Sequence, residues 1–143
     1  PLCLVGSEMC IRDRIAAAAA REAALSGVPF AVVTSTPKLA PSIDTIMRAE
    51  RGDTYLGCYT TEDDPLVLAS NSDALDYALI TSCEIAKKAG AKRIIIGGGP
   101  LGQAAIRISS QVKVPLIQPL VAACSEVSAL IEHQLPHVQD VDR

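Results

Sequence analysis

Three residue types in this 143-residue chain have the chemistry of a reaction site: thiols, clustered hydroxyls and a run of glycine amides. The glycine run is Gly97-Gly98-Gly99-Pro100-Leu101-Gly102, entered from the β-branched stretch Arg93-Ile94-Ile95-Ile96. Backbone without Cβ at the carboxyl end of a strand lets a ligand approach closely. A helix starting there aims free N–H groups at the same point, which suits an anion or a carboxylate. The hydroxyls Thr34-Ser35-Thr36 and Thr60-Thr61 follow two other short strand-like runs. The thiols are Cys3, Cys10, Cys58, Cys83 and Cys124. A thiol is reactive only where its surroundings favour the thiolate.

The glycine run also satisfies G-x-G-x-x-G between a strand and a helix, the pattern of a dinucleotide site. Such a site needs an acidic residue at the end of the next strand to hold the ribose hydroxyls. Here that strand ends at Gln118, and the motif falls in the third strand–helix unit instead of the first. A blander alternative is that the glycines only permit a tight strand-to-helix turn. The hydroxyl-rich loops expected at the same edge favour a ligand site over that alternative.

The elements that must position these groups alternate regularly. Ile15 to Ser26, with five consecutive alanines, predicts a helix stopped by Gly27. Pro29 to Thr34 reads as a buried strand and Pro41 to Arg51 as a helix begun by proline. Thr54 to Thr60 is a second strand, leading into the acidic loop Glu62-Asp63-Asp64-Pro65. A helix then starts near Ser72 or Asp73, either of which can cap it, with Leu75, Leu79, Cys83 and Ala86 as its inner stripe. Lys92 to Ile96 is the third strand, Leu101 to Val112 a helix, Val114 to Ile117 the fourth strand and Pro119 to His133 the last helix. This alternation predicts an α/β fold: a four-stranded parallel sheet flanked by helices on both faces. Ligands in such sheets bind at the carboxyl ends of the strands. Four loops should therefore meet there: Thr34-Ser35-Thr36, Thr60-Thr61-Glu62, Gly97-Gly98-Gly99 and Gln118-Pro119. The nearest cation is Lys38, so hydroxyls and amides would hold a small carboxylate there better than a polyphosphate.

Cys58 lies two residues before the end of its strand, Cys83 on a helix's inner stripe and Cys124 inside the last helix. All three read as buried apolar fillers, with Cys58 the candidate to face the crevice as a reactive thiol. The odd count of five cysteines, without metal-ligand spacing, suits reduced thiols of a cytoplasmic protein. His133 and His137 are separated by Pro136, which works against a shared helical face, so a metal site is not expected. Net charge is -3 with no basic run, and aromatic residues make up 3% of the chain, which argues against nucleic acid as a partner. No apolar run approaches the roughly 20 residues of a membrane span.

The segments Ala31-Val32-Val33-Thr34-Ser35-Thr36-Pro37, Asp63-Asp64-Pro65 with the helix up to Ala89-Gly90-Ala91, Arg93 to Leu101, and Val114 to Ala123 occur in the order of the aspartate/glutamate/hydantoin racemase superfamily, which the chain resembles from about Ile15 to His133. The resemblance implies a flavodoxin-like half of a two-domain fold with the active site between the domains. It implies cofactor-independent chemistry at the carbon α to a carboxylate or carbonyl. One cysteine of each domain then moves a proton on its own face of the substrate, a small carboxylate or cyclic amide. By the same resemblance Thr34, Ser35, Gly98 and Gly99 hold the acid group, and Gly98 stands where the family keeps its second cysteine. The first domain has no counterpart in the sequence, so the chain is expected to be inactive or one-base as given. It should either self-associate or pack on a missing N-terminal domain.

Residues 1–14, PLCLVGSEMCIRDR, show no periodicity and resemble translated sequencing-adapter read-through at the end of a metagenomic gene prediction. They are expected to be non-native or disordered, since a signal peptide would carry its basic residues before the apolar stretch. The domain is expected over residues 15–134, followed by a polar tail at 135–143.

Overall fold

A computed structural model describes residues 7–98 and 101–134, the side chains of residues 7–10 excepted. The alanine-rich helix α1 (Ser7–Ala24) leads into β1 (Phe30–Thr34). A short 3-10 turn (Pro37–Leu39) precedes α2 (Ala40–Arg51), which returns to β2 (Tyr55–Thr60). Next come α3 (Pro65–Ser70), α4 (Ser72–Lys88) and β3 (Arg93–Ile96). The chain continues through α5 (Gly102–Ile108), β4 (Leu116–Ile117) and α6 (Pro119–Gln134). The sheet is four-stranded and all parallel, in the order β2-β1-β3-β4. None of the described helices is long and apolar enough to cross a membrane.

Strand periodicity divides the core into two layers, because successive side chains leave opposite faces of the sheet. Phe30, Val32 and Ile95 point to one face, where they pack with Ala19, Ala20, Ala23 and Met47 of α1 and α2. Ala31, Val33, Ile94 and Ile96 point to the other and meet Leu79, Cys83 and Ala86 of α4 and Ala104, Ala105 and Ile108 of α5. The alanines of α1 let that helix lie close to β3, while α6 lies along α1 and not on the sheet. Arg21 ties this side together, donating to Glu126 at 2.8 and 2.9 Å and to Glu50 at 3.0 Å.

Several boundaries differ from the sequence expectation. Helix α1 reaches back to Ser7, so residue 14 is not a boundary of secondary structure. Once the alanines nucleate a helix, each further residue costs little, and Glu8, Met9, Arg12 and Arg14 are good helix formers. Residues 1–6 and the tail 135–143 lie outside the described residues. The cap of α4 is Asn71, not Ser72 or Asp73: its Oδ1 accepts from the N–H groups of Asp73 and Ala74, each at 3.1 Å. The acidic loop contains the short helix α3, begun by Asp64, whose carboxylate accepts from the Leu66 N–H at 2.8 Å. Helix α5 stops at Ile108 and β4 shortens to Leu116–Ile117.

Candidate active site

The connection through α2 carries the chain to one side of β1, and the connection through α4 carries it over the opposite face to the other side. The direction of winding therefore reverses between β1 and β3. In open α/β sheets, ligands bind outside the carboxyl ends of the strands at such a reversal. The two strand ends that meet there are Thr34-Ser35 and Gly97-Gly98. The Gly97 N–H donates to the Val33 carbonyl at 2.8 Å, which locks the two ends side by side.

Thr34 and Ser35 are 1% and 8% exposed. The Thr34 hydroxyl accepts from the Thr36 N–H at 3.3 Å and so shapes the exit from β1. On its other side the Thr34 carbonyl accepts from the Thr61 N–H at 3.1 Å, bringing the end of β2 into the row. Behind it, the Ser82 hydroxyl of α4 donates to the Thr60 carbonyl at 3.5 Å. At the far end, the Gln118 side-chain oxygen lies 3.7 Å from the point a Cβ on Gly102 would occupy, so the turns after β3 and β4 are neighbours.

Among the described residues, the polar residues buried as a whole are Thr34, Ser35, Thr61 and Ser82, and all four stand at this edge, whereas the half-buried Thr54 hides its Oγ1 at the opposite end of β2. Burying a hydroxyl costs free energy unless it is hydrogen-bonded, so their concentration at one edge marks it off from an ordinary core. The Thr61 Oγ1 is buried without a partner in the protein, as is the Thr54 Oγ1 at the far end of β2. Sequence reasoning placed Thr61 in a converging loop but not among the site residues, and it missed Ser82. The available signal was a hydroxyl at position 82 between Leu79 and Ala86, on an otherwise apolar stripe.

Gly98 has φ +129°, a conformation that L side chains rarely adopt. A Cβ there would meet only Leu101, with its Cγ and Cδ1 at 3.5 Å, which is ordinary contact. Space would admit a side chain at 98, at the cost of backbone strain. Gly99 and Pro100, the rest of the expected turn, lie outside the described residues.

No described thiol fills the place of a proton carrier at this edge. Cys58 is half-buried and packs against the α1–α2 layer. Burial, reinforced by the Asp44 carboxylate, pushes its thiol up to about 12. Cys83 is buried in the opposite layer, and burial again, with Glu84 second, pushes its thiol up to about 12. Cys124 is exposed, which corrects its reading as a filler: α6 packs on a helix and not on the sheet, so its outer face meets solvent. Groups of His, Cys, Asp and Glu able to hold a metal are absent among the described residues, and His137 lies outside them.

The profile of the Asp/Glu/Hydantoin racemase family matches residues 14–127. The chain belongs to this family. No curated protein matches its sequence. Among solved structures it resembles the allantoin racemase of Pseudomonas fluorescens, with a TM-score of 0.73 and 21% identity over 90% of this chain. It is also similar to the allantoin racemase from Klebsiella pneumoniae, with a TM-score of 0.72 and 21% identity over 90% of the chain. The chain spans 60% of the length of the first of these proteins and 58% of the second. These likenesses show the fold: the parallel α/β sheet is the architecture of these racemases.

Proposed function

We propose that this chain supplies the substrate-holding half of an isomerase-type site that acts at the carbon α to a carboxylate or carbonyl. The substrate is a small carboxylate or a cyclic amide of the kind the allantoin racemases are named for. The observation that carries this reading is the gathering of four buried polar side chains at the strand ends, beside the β1/β3 reversal. Removing an α proton places negative charge on the adjacent carboxylate or carbonyl oxygens. Fixed N–H and O–H donors stabilise that charge without having to reorganise as it develops. Ser35 and the backbone of Gly98 are the donors on either side of the reversal, Thr34 shapes the turn that presents them, and Gly99 continues the same turn in sequence.

Gly98 stands at the family's cysteine position in this reading, so the half-site binds and polarises but carries no proton there. The base and acid belong to the part of the site that this chain does not supply. Cofactor independence belongs to the same proposal, since the carbonyl or carboxylate beside the α carbon is itself the electron sink once its oxygens are held by these donors. A second reading, a non-catalytic carboxylate-binding domain, is favoured by the positive φ of Gly98, which suits glycine better than a thiol-bearing residue. Two measurements on the chain test the site and the assignment of the proton carriers. Malonate or hydantoin at ten times its dissociation constant should stabilise the fold by about 1.4 kcal/mol, and Ser35→Ala should reduce that gain. Neither allantoin nor aspartate should exchange its α proton with D2O in the presence of the chain alone. Exchange above the buffer rate would contradict the assignment of the proton carriers elsewhere. No melting shift with any small acid or cyclic amide would contradict the site itself.

A further inference from the structure

Charge is distributed unevenly along the strand axis. In the turns that leave the four strands, the charged residues are Lys38 after β1 and Glu62, Asp63 and Asp64 after β2, all exposed. The turns after β3 and β4 carry none. Asp73, also exposed, follows in the first turn of α4. Arg107 of α5 is already committed to Asp76, donating to both carboxylate oxygens at 2.7 Å. Lys87, Lys88, Lys92 and Lys113 stand at the other edge, where the chain enters β3 and β4. The five residues of β1 keep the two edges about 16 Å apart, about twice the distance over which exposed charges act at physiological salt. From Thr61, three residues of chain reach at most about 11 Å, so the acids after β2 lie close to the strand ends.

We propose that this acidic loop selects the substrate by charge: the half-site takes a neutral cyclic amide ahead of a dicarboxylic acid, with Glu62 and Asp63 as specificity-determining residues. The inference rests on the substrate-holding site proposed above. One carbonyl or carboxylate is met there by hydroxyls and backbone N–H groups. The Thr61 hydroxyl heads the loop, 3% exposed and without a partner in the protein, and a neutral carbonyl oxygen is enough to satisfy it. A second carboxylate calls for a fixed cation, best a two-pronged arginine. From Thr61 through the first turn of α4 the chain has no Lys or Arg, and Lys38 after β1 is exposed. Asp64 is fixed at the rim by its cap on α3. A dianion therefore meets net repulsion, and a neutral ring meets none.

Malonate, malonamate and hydantoin carry two, one and no negative charges at neutral pH, and the first two share a shape. Their dissociation constants, read from the amide shifts of Ser35 and Gly98, test the inference in the parent chain and in the double variant Glu62→Gln with Asp63→Asn. Removing two charges at about 10 Å should tighten malonate about five- to ten-fold at about 0.01 M salt, and malonamate about three-fold. Hydantoin should change by less than about two-fold. At about 0.15 M salt the gain for malonate should shrink to about two-fold. Lys92→Gln, at the opposite edge, should leave the ratios between the three ligands unchanged. The parent chain supplies a check that needs no variant: raising the salt over this range should tighten malonate relative to hydantoin. Malonate that weakens with salt relative to hydantoin, or gains no more than hydantoin in the double variant, would overturn the inference while leaving the site in place. If none of the three ligands shifts Ser35 in either protein, the site itself falls, and the inference with it.

Discussion

Replacing Gly98 by cysteine restores the side chain that the resemblance places there, and the structure states what that costs. At φ +129° a residue with a Cβ is strained by about 1–3 kcal/mol. A small part returns, because a residue with a side chain has less freedom to lose from the unfolded chain, about 0.4–1 kcal/mol. The contact with Leu101 at 3.5 Å adds no clash. From the middle of these ranges the net cost is about 1–2 kcal/mol, a fall in melting temperature of about 3–7 °C for a domain of this size. Because the cost lies in the backbone, Gly98→Ala should match Gly98→Cys, and trimming Leu101 to alanine should rescue neither. Gly97 gives the contrast: its Cβ would sit 3.1 Å from Val32 Cγ1, so Gly97→Ala should be partly rescued by Val32→Ala. Thermal melts by circular dichroism of these variants decide the matter. The reasoning is refuted if Gly98→Ala and Gly98→Cys melt with, or above, the parent chain.

Other expectations follow from the packing. Leu79→Ala removes a fully buried side chain from the α4 layer and should cost about 2–5 kcal/mol in denaturant unfolding. Asn71→Ala removes two cap hydrogen bonds from α4 and should cost about 0.5–2 kcal/mol, whereas Ser72→Ala should cost far less. Cys58 and Cys83 are held up to about 12 in the fold, against the ordinary thiol range when unfolded. The unfolded chain therefore releases these protons first. The stability they contribute is complete below about pH 8.5 and is lost toward pH 12, with a slope of up to about 1.4 kcal/mol per pH unit for each thiol. Urea titrations at successive pH values should show this fall, and Cys58→Val with Cys83→Ala should flatten it. In thiol labelling of the native chain, exposed Cys124 should react readily while Cys58 and Cys83 wait for unfolding.

The fold was legible because the sequence repeats one simple physical pattern. The apolar runs at Ala31–Val33 and Ile94–Ile96 are buried on both faces, and the helices between them force parallel pairing. Local chemistry was harder to place. Ser72, Asp73 and Asn71 are all competent caps, and only the backbone geometry decides for Asn71. Asp64-Pro65 is a good cap and first-turn pair, but the acidic run around it reads equally well as a loop. The extension of α1 to Ser7 rests on propagation from the alanines, which periodicity does not register. Thr34, Ser35 and Gly98 were recognisable as strand-end residues, and the structure brings their strand ends together at the reversal. The conformation of Gly98 and the burial of Thr61 and Ser82 depend on how β1, β2, β3 and α4 meet, which no local stretch of sequence encodes. Cys124 misled for the same reason: an apolar helix reads as a core helix, but α6 packs on α1 and not on the sheet.

The central claim is that a small acid or cyclic amide is held at the β1/β3 reversal. Amide chemical-shift mapping of the ¹⁵N-labelled chain, titrated with malonate and then with hydantoin, tests it most directly. The account predicts saturable shifts concentrated at Thr34, Ser35, Thr36, Thr61, Gly97 and Gly98, weakened by Ser35→Ala. Saturable shifts confined to α6 or to the groove between α1 and α2, with this edge unmoved, would contradict it.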